Sequence, residues 1–286
     1  MNHLLCFGMG FSGKALASRL KSTGWTITGT SRSAEGAAAI AAAGYKTLVF
    51  DGSAPLPSAM FDGVTHVVIS VPPDSGGDPV LHRHTDDFAN RAGQFAWVGY
   101  LSTTGVYGDH GGDWVTEETP LTPNTERGAK RLAAETAWLN IPGLPLQIFR
   151  LAGIYGPGRN QLLPVLDGTA KRIVKEGQVF SRIHVDDIAE TLCASMVKPA
   201  PGRAYNVCDD LPAPPQDVVE YAAELLGLPP PPGIPFEEAQ LSPMARSFYA
   251  DSKRVSNARI KRELGVKLRY PTYREGLAAL AKEIKR

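Results

Sequence analysis

The chain is poor in the features that several protein classes need. Its 286 residues include three cysteines, Cys6, Cys193 and Cys208, an odd number set far apart in apolar surroundings. That pattern offers neither a disulfide framework nor metal-ligand spacing, and implies reduced, buried thiols in a cytoplasmic protein with no metal. A dominant charge is also missing. Thirty Lys and Arg stand against 29 Asp and Glu, a net charge of +1, so no global field favours nucleic acid or a membrane surface as partner. No apolar run approaches the ~20 residues of a membrane span. No basic stretch precedes a long apolar one near the start, which argues against a secretory signal. There is no internal repeat, and no G-x-S-x-G elbow of the kind serine hydrolases carry. What remains is an ordinary globular composition, 43% hydrophobic and 21% charged. The length suits one large domain or two small ones.

The informative stretch comes first. A short apolar run ends at Phe7, and Gly8, Gly10 and Gly13 follow at G-x-G-x-x-G spacing. An amphipathic run then begins, with Ala15, Leu16 and Leu20 on one face and Lys14 and Lys21 on the other. A strand, a tight turn and a helix form the context in which this spacing binds a dinucleotide. Gly8 permits the turn, Gly10 lets backbone approach a pyrophosphate, and Gly13 lets the helix pack on the strand. Phe11 and Ser12 add unpaired N–H groups at the positive end of the helix dipole.

Strands and helices alternate through the first half: strands over 25–30, 47–50, 66–71 and 95–103, helices over 34–43 and 82–92. Continuous apolar strands such as 67–71 suit a sheet covered on both faces. The class is therefore α/β, a Rossmann-type doubly wound parallel sheet. Ligands of such sheets sit at the carboxyl ends of the strands, where Gly8, Ser31, Asp51, Val71 and Thr103 fall. An acid at the end of the second strand would bind the adenosine ribose; this chain has T-S-R-S at 30–33 instead. Arg32 can pair with a 2′-phosphate and Ser31 can donate to it, favouring NADP(H) over NAD(H). Asp51 is a candidate for the adenine amino group. In the second half, strands flanking Glu176 and Gly177 read as a hairpin, 185–198 and 216–226 as helices, 229–235 as a rigid proline-rich loop, and 252–264 and 273–285 as amphipathic helices.

Five further segments resemble, in order, those of the extended short-chain dehydrogenase/reductases, the family of NAD-dependent epimerases and dehydratases. They are L-S-T-T-G-V-Y-G at 101–108, D-W-V-T-E-E at 113–118, F-R-L-A-G-I-Y-G-P-G at 149–158, R-I-H-V-D-D at 182–187 and A-Y-N-V at 204–207. The resemblance implies a Rossmann domain over 1–150, with 181–203 returning to it. A smaller, discontinuous substrate lobe would come mainly from 151–286. It places the backbone of Leu151 and Ala152 beside the nicotinamide, Thr103 on the reacting oxygen, and Arg159 and Arg182 toward an anionic substrate. Tyr107 and Tyr155 carry hydroxyls that could face the cleft, with Tyr107 a further catalytic candidate.

One segment departs. The family carries Y-x-x-x-K after the fifth strand, the tyrosine moving the proton and the lysine holding the nicotinamide ribose. Here the stretch 127–135 reads R-G-A-K-R-L-A-A-E, which puts Arg127 and Arg131 in the two slots. A shift of one residue would put Glu126 and Lys130 there. Arginine does not lose its proton in proteins, so Arg127 is no general base. It could instead clamp a carboxylate or phosphate, and Arg131 could hold cofactor ribose or phosphate. Two functions follow. One is an atypical NAD(P)-dependent oxidoreductase or epimerase/dehydratase acting on a small polar, anionic or nucleotide-sugar-like substrate. The other is an inactive NAD(P)-binding sensor or scaffold. Ala133, Ala134 and Ala137 would let the same helix pair with a second copy, a homodimer.

Overall fold

In a computed structural model that describes residues 2–284, strand and helix alternate as the periodicity requires. The first half holds β1 (His3–Phe7), α1 (Phe11–Lys21), β2 (Thr26–Ser31), α2 (Ala34–Ala42), β3 (Lys46–Val49), β4 (His66–Ile69), α3 (Pro79–Asn90), β5 (Trp97–Thr103), β6 (Trp114–Val115), α4 (Glu126–Leu139) and β7 (Leu146–Leu151). The second half holds β8 (Gly153–Tyr155), α5 (Leu162–Leu166), β9 (Arg172–Val174), β10 (Arg182–His184), α6 (Val185–Val197), β11 (Ala204–Val207), α7 (Pro215–Leu226), β12 (Gly233–Pro235), α8 (Pro243–Phe248), β13 (Arg254–Val255) and α9 (Tyr273–Ile284). Polar caps start the helices that frame the cleft. Asp78 accepts the N–H groups of Val80 and Leu81 at α3, and Thr125 that of Gly128 at α4.

Seven parallel strands form the central sheet in the order β11-β7-β5-β4-β1-β2-β3. The order reverses between β1 and β4, which opens a crevice at their carboxyl ends. Both faces are covered, which is why the strands read as apolar runs. Leu16, Trp97, Phe149, Ile188 and Leu192 pack on the side of α1 and α6. Phe7, Phe61, Phe88 and Trp138 pack on the side of α3 and α4. A separate core of Leu162, Val219 and Leu277 joins α5, α7 and α9. The buried Asp187 carboxylate accepts the N–H groups of Arg269 (2.6 Å) and Tyr270 (3.1 Å), tying the approach to α9 onto α6. No helix among the described residues is long and apolar enough to cross a membrane.

The second half corrects several expectations. Residues 172–180 turn at Gly177 but form no hairpin: β9 pairs in parallel with β12, and Phe180 bridges to Ala213. Each arm finds a partner from a distant segment that local pattern does not reveal. The expected loop over 229–235 therefore ends as an edge strand, where a proline without N–H is tolerated at Pro235. Residues 252–264 are not one helix. β13 lies beside β6, with Arg254 N–H on the Asp113 carbonyl and Ser256 N–H on that of Val115. Helix is confined to the last residues of this stretch, ending in the π-turn Ile260–Leu264. β11 joins β7 in parallel at the sheet edge. The last helix was expected to reach Lys285, which lies outside the described residues.

Candidate cofactor and substrate site

The head of α1 shows three glycines doing three different things. Gly8 sits at φ +79°, and a Cβ there would meet Val71 Cγ2 at 3.1 Å and Val71 N at 3.2 Å. Its N–H donates to Thr30 Oγ1 at 2.8 Å, and Met9 N–H to the Thr30 carbonyl at 2.8 Å, so the end of β2 fixes the turn. Gly13 would place a Cβ 2.8 Å from Cys6 Sγ, so only a glycine lets α1 lie this close to β1. Gly10 differs: the nearest atom to its Cβ position is the Gly8 carbonyl oxygen at 3.9 Å, and the space beyond is open. No side chain caps α1 and no acid stands in its first turn. The N–H groups of Phe11, Ser12 and Gly13 are thus left for an anion at the positive end of the helix. A diphosphate fits this cradle.

Around the cradle, Ser31 is half-buried at the end of β2 and accepts the Ser33 N–H at 3.4 Å, while Ser33 caps α2. Arg32 is exposed and has no carboxylate partner among the described residues. Asp51 takes the Ser53 N–H (2.8 Å) and hydroxyl (2.6 Å) on one oxygen, bonds that hold its carboxyl below the usual range and leave the other oxygen open. Leu151 and Ala152 are buried at the end of β7, with Ala152 N–H on the Val207 carbonyl.

Thr103 ends β5 half-buried, its Oγ1 accepting the Gly105 N–H at 3.1 Å. A Cβ on Gly128 would lie 2.7 Å from the Gly105 carbonyl oxygen, so the first turn of α4 abuts this exit and Arg127 stands at its lip. Arg131 reaches back to β5 and donates through one nitrogen to Tyr100 Oη and the Leu101 carbonyl, both at 3.0 Å. It is half-buried and anchored two residues before Thr103.

Other candidates move away from the site. Tyr107 is 0% exposed; its hydroxyl donates to Asn206 Oδ1 at 2.7 Å and accepts from Arg150 at 3.0 Å. That bonding corrects the expectation of a hydroxyl facing the cleft. Tyr155 is buried as well, its hydroxyl 3.5 Å from the Thr272 carbonyl, and burial raises its pKa. Arg182 spends one nitrogen on the carbonyls of Phe180 (2.9 Å) and Ala213 (3.0 Å). Arg159 is elsewhere, its guanidinium 5.9 Å above the ring of Phe11 at the head of α1. The two arginines expected to share an anion therefore serve different places. His184 is a buried cap of α6 whose Nδ1 accepts the Asp186 N–H, and burial lowers its pKa. Among the described residues no His, Cys, Asp or Glu cluster could hold a metal ion.

A buried network was not foreseen. Glu135 of α4 binds Arg150 of β7 at 2.8 Å and takes the hydroxyl of Ser102 on β5. Through Tyr107 and Asn206 it continues to the edge strand β11. Each residue lies inside a quoted motif or beside one, but nothing local indicates that they meet.

The comparisons agree with this geometry. The family model for the NAD-dependent epimerase/dehydratase family matches residues 87–208. Over that segment the chain is similar to the NAD-dependent epimerases and dehydratases. A functionally unknown conserved protein from Silicibacter pomeroyi DSS is 56% identical and superposes with a TM-score of 0.93 over the full length of both chains. Protein YeeZ of Escherichia coli K12 is 29% identical over 95% of this chain and 97% of its own. The dTDP-glucose 4,6-dehydratase of Bacillus anthracis, solved in complex with NAD, is 19% identical, with a TM-score of 0.78 over 100% of this chain and 97% of that one, and shares the fold. The matched segment runs from α3 to β11 and includes α4, with Arg127 and Arg131.

Proposed function

We propose that this protein is a member of the NAD-dependent epimerase/dehydratase family that binds NADP(H), with NAD(H) as the weaker ligand, and acts as an oxidoreductase or epimerase/dehydratase-like enzyme on a small polar substrate carrying an anionic group. The observation that carries the reading is the cradle at the head of α1, closed at Gly8 and Gly13 and open at Gly10. A nicotinamide dinucleotide bound there supplies or accepts a hydride. The chain's own residues supply the rest. Phe11, Ser12 and Gly13 hold the diphosphate by backbone N–H groups, with Gly10 giving it room, Arg32 the 2′-phosphate, and Asp51 the adenine amino group. Leu151 and Ala152 wall the nicotinamide, and Arg131 faces its ribose. The Thr103 hydroxyl, whose oxygen accepts the Gly105 N–H, keeps its proton to donate to a substrate oxygen. With no tyrosine in the slot, water completes the proton transfer.

The second reading is a cofactor-binding sensor or scaffold without turnover. It is favoured by a specific observation: Tyr100, Tyr107 and Tyr155 all direct their hydroxyls into the protein. We also propose that α3 and α4 pair with a second copy of the chain in a homodimer in the cytoplasm.

Titrating NADPH and NADH by fluorescence, in the wild type and in Gly10→Ala and Arg32→Ala, tests the cofactor assignment. A Cβ at Gly10 meets no protein atom closer than 3.9 Å, so Gly10→Ala should keep the wild-type Tm and lose about tenfold or more in affinity for both. Arg32→Ala should weaken NADPH alone. Tighter NADH binding by the wild type sinks the NADP preference, and no binding of either sinks the site. Substrate-dependent change in nicotinamide absorbance across aldehydes, ketones and nucleotide sugars separates enzyme from sensor.

A further inference from the structure

The slot that would hold the tyrosine has acquired a partner from a distant part of the chain. Arg127 stands in the first turn of α4, at the lip where β5 ends. The carboxylate beside it, Glu126, is drawn off by Lys130 at 2.6 Å. Among the described residues Arg127 makes no hydrogen bond or ion pair; its contact is with the ring of Phe248, 4.3 Å from the guanidinium carbon. Phe248 ends α8 and is 47% exposed, and α8 buries none of its residues. This short helix is therefore not held by a core of its own. Polar ties hold both of its ends. Lys171 Nζ holds the Gln240 carbonyl (3.0 Å) and Arg246 the Ala239 carbonyl (3.0 Å) on one side. Lys175 Nζ holds the Tyr249 carbonyl (2.5 Å) and Asn124 the Ala250 carbonyl (3.3 Å) on the other.

Resting on the cofactor reading above, we propose that Arg127 and Phe248 form an oxyanion clamp for the substrate. Phe248 fixes the guanidinium by its face, and the N–H edge takes a carboxylate or phosphate. A planar guanidinium stacks on an aromatic face without using its donors, and its forked edge matches a two-oxygen anion. A ring at 4.3 Å thus orients the fork before the anion arrives, which lowers the ordering cost of binding. The chemistry selects a substrate with an oxyanion close to its reacting carbon. Phe248 is a positioning residue; Arg127 touches the substrate.

The test uses the full chain with saturating NADPH and repeats each titration without it. Oxalate and inorganic phosphate are titrated separately by calorimetry at fixed ionic strength. One of them should bind saturably to the wild type. Arg127→Gln should weaken that binding by about tenfold or more. Phe248→Leu, which keeps an apolar side chain and removes the ring, should weaken it about threefold, and Phe248→Tyr should restore it. Preference for phosphate indicates a phosphoester substrate, and preference for oxalate a carboxylate. Binding of neither anion, or binding unchanged in Arg127→Gln, overturns the clamp; binding unchanged in Phe248→Leu overturns the role of the ring. Failure of the wild type to bind either dinucleotide would defeat the cofactor reading instead, and the titrations without cofactor would still decide the clamp.

Discussion

At the scale of single residues, the same residue type serves opposite ends. Gly13 is a packing requirement, because any Cβ would strike Cys6 Sγ at 2.8 Å; Gly10 leaves room for something that is not protein. The motif spacing names both, and the space around each distinguishes them. A titrating residue shows the same dependence on surroundings. Asp209 is buried, one carboxylate oxygen accepts the Leu211 N–H at 3.2 Å, and the other has no partner. Burial pushes its pKa up to about 8, against the pull of Arg182 and with help from Asp210 and Asp187. A folded-state pKa raised above the unfolded value near 3.8 gives stability that is complete below about pH 4 and lost as pH rises through about 8. Asp187, raised to about 6 by burial, acts in the same sense at lower pH. The wild-type Tm should therefore fall between about pH 4 and pH 8, and Asp209→Asn, uncharged throughout, should flatten that fall. Calorimetry of the two proteins across that range checks it; an equal slope in both would reject the assignment.

At the scale of elements, α4 joins two functions. Its first turn carries Arg127, its second anchors Arg131 on Tyr100 and Leu101 of β5, and its middle turns Glu135 inward to Arg150. Both partners of that pair are almost fully buried. Removing one leaves the other charge without compensation, at a cost of about 3–5 kcal/mol. Glu135→Ala should therefore lower stability by that amount in urea unfolding, whereas Glu126→Ala, on the exposed Lys130 pair, should change it by less than about 0.5 kcal/mol. A Glu135→Ala protein as stable as the wild type would show that the network carries no load. The elements themselves were legible to different degrees. β1 to β5 and the helices between them follow from apolar runs and caps, and the expected boundaries fall within a few residues of the observed ones. The strands β9, β12, β6 and β13 could not be read, because they are two or three residues long and owe their existence to partners 61 or more residues away.

At the scale of the whole molecule, the part outside the central sheet in the second half is assembled from separated pieces: α5, β9, α7, β12, α8 and α9. The outer side of the sheet domain carries a different feature. A groove of about 690 Å³ runs between α3 and α4, lined by Leu81, His82, Ala133, Ala134, Ala137 and Ile141. Small side chains there permit the close approach of another helix pair, which is where the proposed homodimer would form. Light scattering should then give twice the 30.7 kDa chain mass, and Ala137→Arg, on the exposed face of α4, should return the monomer with its Tm little changed. A wild type that is monomeric at tens of micromolar would dismiss the dimer.

What the sequence by itself determined is the fold class, the cradle and the altered slot. These depend on local spacing: glycines two and three residues apart, apolar runs of strand length, and Arg127 and Arg131 four residues apart where the resemblance expects a tyrosine and a lysine. Only the tertiary structure decided which of the remaining candidates share a place. It set Arg159 above Phe11, spent Arg182 on backbone carbonyls, buried Tyr107 in a network, and brought Phe248 to Arg127 across 121 residues of chain. The physical reason is the same in each case: a side chain's partners are chosen by the packing of distant segments, and spacing along the chain carries no record of them.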